Sequence, residues 1–178
     1  MREPWLSFLV DLDRALPSPT ELHCFGAFVL SEEYGLGRPT ADVDIVEAIG
    51  IPKVDLARLA GRQSDLHTRH RVYLDIVTVA TIPERYAERL TELSPPNFNR
   101  LRLRAVERHD LILAKLARNS DRDIEDLRRV ALGPGLDPAV LRQRYHDDMR
   151  YQSSNPARED LTLALWLEIL AELKTRRP

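Results

Sequence analysis

One cysteine, Cys24, is too few for any internal disulfide, so the 178-residue chain is no disulfide-stapled secreted scaffold, and a reducing compartment, the cytoplasm, is expected. Lysine is almost as scarce. It stands only at Lys53, Lys115 and Lys174, so arginine carries nearly all the positive charge. Charge of one sign is lacking too: 26 basic against 28 acidic side chains leave a formal charge of −2. That balance excludes a whole-molecule field drawing the chain onto nucleic acid or an anionic membrane, and any such surface must be local. No apolar run approaches the roughly 20 residues that cross a bilayer, and the N-terminus shows no basic head followed by an apolar stretch. Zinc-ligand spacing of Cys and His, an ordered Ser/His/Asp set, internal repeats and low-complexity tracts are all missing as well. What remains is a chain with 43% hydrophobic residues, enough for a core in one domain or two compact lobes.

The patterning changes character near residue 106. Before it, strands and helices alternate. Trp5, Leu6, Phe8, Leu9, Leu12 and Leu16 recur at helical spacing, and Pro17 and Pro19 end that helix. Leu22 to Phe25 reads as a buried strand, and Gly26 opens a helix through about Tyr34, closed by Gly35-Leu36-Gly37. The run Asp42-Val43-Asp44-Ile45-Val46 alternates as a strand, a helix covers about 52–62, and Val72 to Val79 forms the most apolar strand, expected at the centre of a sheet. A helix after Pro83, a loop at Ser94-Pro95-Pro96-Asn97 and an alternating strand at 101–106 complete this part. Beyond it the pattern is helical, over 108–118, 121–132, 138–150 and 158–175. The expected fold is α+β: a mixed sheet flanked by helices over 1–106, followed by a helical lobe over 107–178.

Within this frame the carboxylates stand out. Asp42 and Asp44 occupy positions i and i+2 of one strand, so both project from one face, close enough to share a divalent ion. Asp75, set among Leu74, Ile76 and Val77 on the apolar strand, is the natural third oxygen donor, and an isolated buried Asp is costly without a partner or a metal. Three convergent carboxylates suit Mg²⁺. A solvated strand end is the other reading of Asp-x-Asp alone. Gly26, between a strand and a helix, lets the backbone approach phosphates and aims helix N-terminal amides at them.

Phe25-Gly26-Ala27, Thr40-Ala41-Asp42-Val43-Asp44 and Leu74-Asp75-Ile76 together resemble the nucleotidyltransferase superfamily of polymerase-beta type. Gly26 to Leu30 and Arg38 to Asp44 look most like its minimal members from toxin–antitoxin and phage-defence systems, the AbiEii-like group. Asp110 to Leu116 and Arg122 to Asp126 resemble that group's second motif, so the resemblance spans about 22–130. It implies Mg²⁺-dependent transfer of a nucleotide from a nucleoside triphosphate to an RNA hydroxyl, of a tRNA for instance, or to a protein hydroxyl. Asp42 and Asp44 would hold metal, and Asp75 would share in it and help activate the nucleophile. Gly26, Ala27, Arg38, Thr40, Lys115, Arg122 and Asp126 would serve the nucleotide, and an antitoxin protein is an implied partner. Ala27 departs from the pattern, which has a second Gly or a Ser there. The loss of that hydroxyl favours the alternative of a catalytically degenerate relative that binds nucleotide or a partner.

Other residues carry two readings each. His67, Arg69, His70 and Arg71 crowd a loop that either meets phosphates or is simply solvated. Arg100, Arg102 and Arg104 form either a basic stripe or protection for a sheet edge. Lys115 could lie on a solvated helix face, and Arg122 with Asp126 in a surface ion-pair network. Ser120 with Asp123 fits a helix-capping box, and Cys24 fits the core. The apolar series from Leu161 to Leu170 is broad enough for a core, or for a core and a partner.

Overall fold

The computed structural model describes residues 1–35, 40–78, 80–93 and 98–175. It divides into two compact units, residues 1–79 with 90–106, and residues 80–89 with 107–178. The first is an α/β unit, with elements α1 (Trp5–Ala15), β1 (Thr20–Phe25), α2 (Gly26–Tyr34), β2 (Asp42–Ile49), α3 (Lys53–Ala60), α4 (Asp65–His70), β3 (Tyr73–Ile76), β4 (Thr91–Glu92) and β5 (Leu101–Ala105).

Its five strands form one mixed sheet in the order β3-β2-β1-β5-β4. The pairs β1–β5 and β2–β3 are parallel, whereas β1–β2 and β4–β5 are antiparallel. Strand alternation sends Leu22, Cys24, Val43, Ile45, Leu101 and Leu103 to a buried face, with α2 packed on β1 and β2 and α3 on β3. The opposite face carries Glu21, Arg102, Asp42, Asp44 and Asp75. Helix α1 buries Phe8, Leu9 and Leu12 and packs against α3 and α4.

Four expectations change here. The Asp75 strand is the end strand of the sheet, and β1 takes the central place. Helices α3 and α4 bury Leu74 and Val72 without a second neighbouring strand, and burial by helices leaves the same apolar signature as burial in a sheet centre. The span 52–62 ends at Ala60, and His67, Arg69 and His70 sit on helix α4, capped by Ser64, rather than in a loop. There His70 Nε2 lies 2.9 Å and Arg69 Nη1 3.0 Å from Asp11, which ties α4 to α1. Strand β5 is no edge, since β4 pairs with it, and within the stripe Arg102 pairs with Glu92 of β4 and Glu21 of β1 while Arg100 and Arg104 donate to the Leu16 and Leu90 carbonyls. Val79 and the loop at 94–97 lie outside the described residues.

Asp13, on α1, is buried and accepts backbone N–H bonds from Asn99, Arg100 and Leu101 at 2.7–3.1 Å, fixing the entry into β5. Burial pushes its carboxyl up, but the three amides and the Arg100 charge outweigh that and hold it below the ordinary value. Asp13→Ala leaves these donors without their acceptor and should cost about 2–3 kcal/mol. The wild-type advantage should be fully present above the unfolded value of about 3.9 and vanish as pH falls through the lowered folded-state value, which urea titrations of both proteins at several pH values would show.

The second unit is helical: a 3-10 stretch at Glu84–Arg89, then α5 (Arg108–Leu113), α6 (Asp121–Leu132), α7 (Pro138–Asp148), a 3-10 turn at Arg150–Gln152, and α8 (Pro156–Thr175). The helix expected over 108–118 therefore stops early, and Asn119, at φ +46°, turns the chain into α6. Asn119 Oδ1 accepts the indole N–H of buried Trp166 on α8 at 2.9 Å. Buried charges organise the interior. Asp110 meets Arg89 and Arg144, Asp148 meets Arg85 and Arg89, and Glu107 meets Arg144 and His109. On α8, Leu163, Trp166 and Leu170 are core, whereas Leu161 and Leu165 are exposed, so the apolar series covers more than the core uses.

Candidate active site

Strands β2 and β3 run parallel with Asp42 opposite Tyr73 and Asp44 opposite Asp75. Residues in register on neighbouring strands share a face, so all three aspartates project together. One carboxylate oxygen from each of Asp42, Asp44 and Asp75 lies within 4.8 Å of the others. Asp42 and Asp44 are half-buried. Asp75 is exposed, contrary to the burial its apolar neighbours suggested, because β3 ends the sheet.

The loop side of the site is built by β1 and α2. Phe25, the last residue of β1, pairs with Asp44, and Gly26 begins α2 with φ +69°. A Cβ at Gly26 would stand 1.7 Å from Asp44 Oδ2, so both the left-handed backbone and the space demand glycine. The same approach brings the N-terminus of α2, where Ala27 follows Gly26, beside Asp44. Its amides and the positive end of the helix dipole favour negative charge there, whether carboxylate or phosphate. The Thr40 hydroxyl donates to Asp42 Oδ1, which fixes the rotamer of that carboxylate. Cys24, next to this turn, is fully buried, and burial together with the Asp44 charge pushes its thiol well up, so it stays a neutral core residue.

Three hard, anionic oxygen donors with room for further ligands match what Mg²⁺ or Mn²⁺ requires, and the absence of His and Cys disfavours softer metals. Among the described residues this is the one cluster of metal-ligating groups. Arg38 lies outside the described residues.

Lys115, Arg122 and Asp126 belong to the helical unit. Lys115 is buried, its Nζ 3.0 Å from Asp126 Oδ2 and 3.6 Å from Asp123 Oδ1, so it is neither solvated nor isolated. Asp126 is buried beside it, and Arg122 is exposed on α6. Asp123 also accepts from the Ser120 backbone and hydroxyl and from Arg118, completing the capping box of α6. Burial pushes the Asp123 carboxyl up. The bonds from Arg118 and Ser120 and the Lys115 charge more than offset this and keep it ionised.

Residues 24–174 match a family model whose description reads nucleotidyltransferase of unknown function (DUF6036). No curated protein and no solved structure matches.

Proposed function

Since the chain belongs to this family of nucleotidyltransferases, we propose that it transfers a nucleotide from a nucleoside triphosphate to an acceptor hydroxyl, with Mg²⁺ held by Asp42, Asp44 and Asp75. The observation that carries the reading is the convergence of those three carboxylates beside the N-terminus of α2. A bound divalent ion would supply charge neutralisation at the transferring phosphoryl group.

The protein's own groups do the rest. Asp42 and Asp44 would hold the ion, and the Thr40 hydroxyl, donating to Asp42, restrains that carboxylate. The first amides of α2, from Gly26 and Ala27 onward, receive triphosphate oxygens. Asp75, exposed at the sheet edge, takes the proton of the attacking hydroxyl or holds that hydroxyl in line. Arg38, Lys115, Arg122 and Asp126 keep the nucleotide-contacting role that the resemblance implies. For Lys115 that contact competes with its ion pair to Asp126. No helix of the described residues is long and apolar enough to cross a membrane. RNA as acceptor, an antitoxin as partner and a place in toxin–antitoxin or phage-defence systems rest on the motif strings alone.

The test is label transfer from each α-³²P nucleoside triphosphate to total bacterial RNA or protein, with and without Mg²⁺. Metal-dependent labelling supports the reading, and its loss in the Asp42→Ala/Asp44→Ala variant assigns it to this site. Metal-dependent nucleotide binding without labelling of either acceptor would favour the binding-only alternative, for which Ala27, lacking a hydroxyl at the start of α2, is the observation. No nucleotide binding at all would overturn both.

A further inference from the structure

The acidic site has two flanks. On the β1 side the Asp44 carboxylate packs against Gly26 at the start of α2. On the β3 side Asp42 stands in register with Tyr73, which projects from the same sheet face. Tyr73 is 7% exposed because two basic side chains cover it. The Arg62 guanidinium carbon lies 4.6 Å from the Tyr73 ring centroid, with Nη2 bonded to the Tyr73 hydroxyl. The His67 ring meets the same ring edge-on at 5.1 Å.

Arg62 differs from its neighbours. Elsewhere in this helical layer guanidinium charge is neutralised: Arg14 and Arg69 pair with Asp11, and Arg58 with Asp55. Arg62 is exposed, and among the described residues its partners are the hydroxyl and ring of Tyr73, neither of which carries charge. Held over the ring and bonded to its hydroxyl through Nη2, the guanidinium keeps Nε and Nη1 as further donors, a pair suited to bidentate recognition of a phosphate. His67 Nδ1 accepts the Gln63 backbone N–H at 3.0 Å, which puts the ring proton of neutral imidazole on Nε2 as a further donor. Arg71, two residues before Tyr73, is exposed and has no carboxylate partner among the described residues.

We propose that Arg62, His67 and Arg71 form a phosphate subsite on the β3 flank, which takes a backbone phosphate of a nucleic-acid acceptor. This deepens the nucleotidyltransferase reading and rests on it. The α2 amides already provide for the triphosphate on the other flank, and Asp75, the group nearest the attacking hydroxyl in that reading, shares its strand with Tyr73. A single-stranded acceptor lying along β3 would place its terminal hydroxyl at Asp75 and the preceding phosphate at Arg62. The buried Tyr73 ring then acts as a support for Arg62, not as a stacking platform for a base.

The experiment compares binding of a short fluorescein-labelled single-stranded RNA, across a salt series, with binding of each Mg²⁺–nucleoside triphosphate. The proteins are the wild type, Arg62→Ala, Arg62→Ala/Arg71→Ala and Arg62→Lys. RNA affinity is expected to fall about tenfold in the double variant, and the slope of log K against log salt to flatten by about 0.7 for each arginine removed. Triphosphate affinity should be unchanged, and Arg62→Lys should recover the slope but only part of the affinity, because lysine cannot bind in bidentate fashion. RNA affinity and slope unchanged in the double variant would overturn the subsite. So would a loss confined to the triphosphate, which would move Arg62 to the nucleotide. Failure of the wild type to bind any triphosphate would instead sink the underlying nucleotidyltransferase reading, a result separable from the RNA arm.

Discussion

Asp44→Asn is expected to lower the proposed Mg²⁺-dependent label transfer by about a thousand-fold, roughly 4 kcal/mol of lost transition-state stabilisation. Asparagine keeps the shape and one oxygen but removes the charge from the residue nearest both the α2 amides and Asp75. A divalent ion deprived of one anionic ligand is bound more weakly and placed less firmly against the phosphoryl oxygens. A companion measurement tests whether the triad serves an ion or the fold. Without metal, three carboxylates whose oxygens lie within 4.8 Å repel one another. Asp75→Asn, at the exposed corner of the triad, should therefore unfold roughly 2–4 °C above the wild type in EDTA, yet lack the further rise expected of the wild type in Mg²⁺. A variant less stable than wild type in EDTA would mean that the aspartates are held for structure rather than for an ion.

Asp110→Ala destabilises the protein by about 3–5 kcal/mol, the second large effect. Asp110 is fully buried, with Arg89 Nε at 2.8 Å and Arg144 Nη1 at 3.0 Å, and both guanidiniums are themselves mostly buried. Removing the carboxylate leaves two like charges facing a small cavity, with Asp148 and Glu107 as their remaining counter-ions. Urea unfolding followed by the fluorescence of Trp166, buried in the same unit, would read the loss. The origin of the cost is testable too. Replacing the three side chains together, by Asp110→Leu, Arg89→Met and Arg144→Met, should recover much of the stability, because no buried charge is then left without a partner. A single variant within about 1 kcal/mol of wild type would show that solvent reaches the network.

The parts of this molecule that its sequence discloses are those set by local periodicity. Asp42 and Asp44 fall on one face because alternation on β2 admits no other arrangement, and Gly26 is forced by a turn whose neighbour is Asp44 itself. Asp75 was findable as an acid amid apolar residues, but its exposure was not, since Leu74 and Val72 read alike beneath helices or within a sheet. The short β4 strand, only Thr91–Glu92, carries too few residues to show a period. Long-range ion pairs were invisible for a different reason. Nothing near Arg89 in the chain announces Asp110 or Asp148, and nothing near Asp11 announces His70. Lys115 and Asp126 were picked out by motif resemblance, and their burial as a pair is a tertiary fact.

The route of the chain carries its own consequence for dissecting this protein. Residues 80–89 leave the α/β unit, join the helical one, and return to supply β4 and β5 before the chain leaves again at 107. A single cut after residue 106 would thus strand Arg85 and Arg89 on the N-terminal fragment, while their counter-ions Asp110 and Asp148 stayed with the other half. Neither fragment would be a module. Exchanging one unit for that of a relative requires three junctions, and those at 79/80 and 89/90 must be moved together, so inheritance and engineering alike would treat the two units as a single piece.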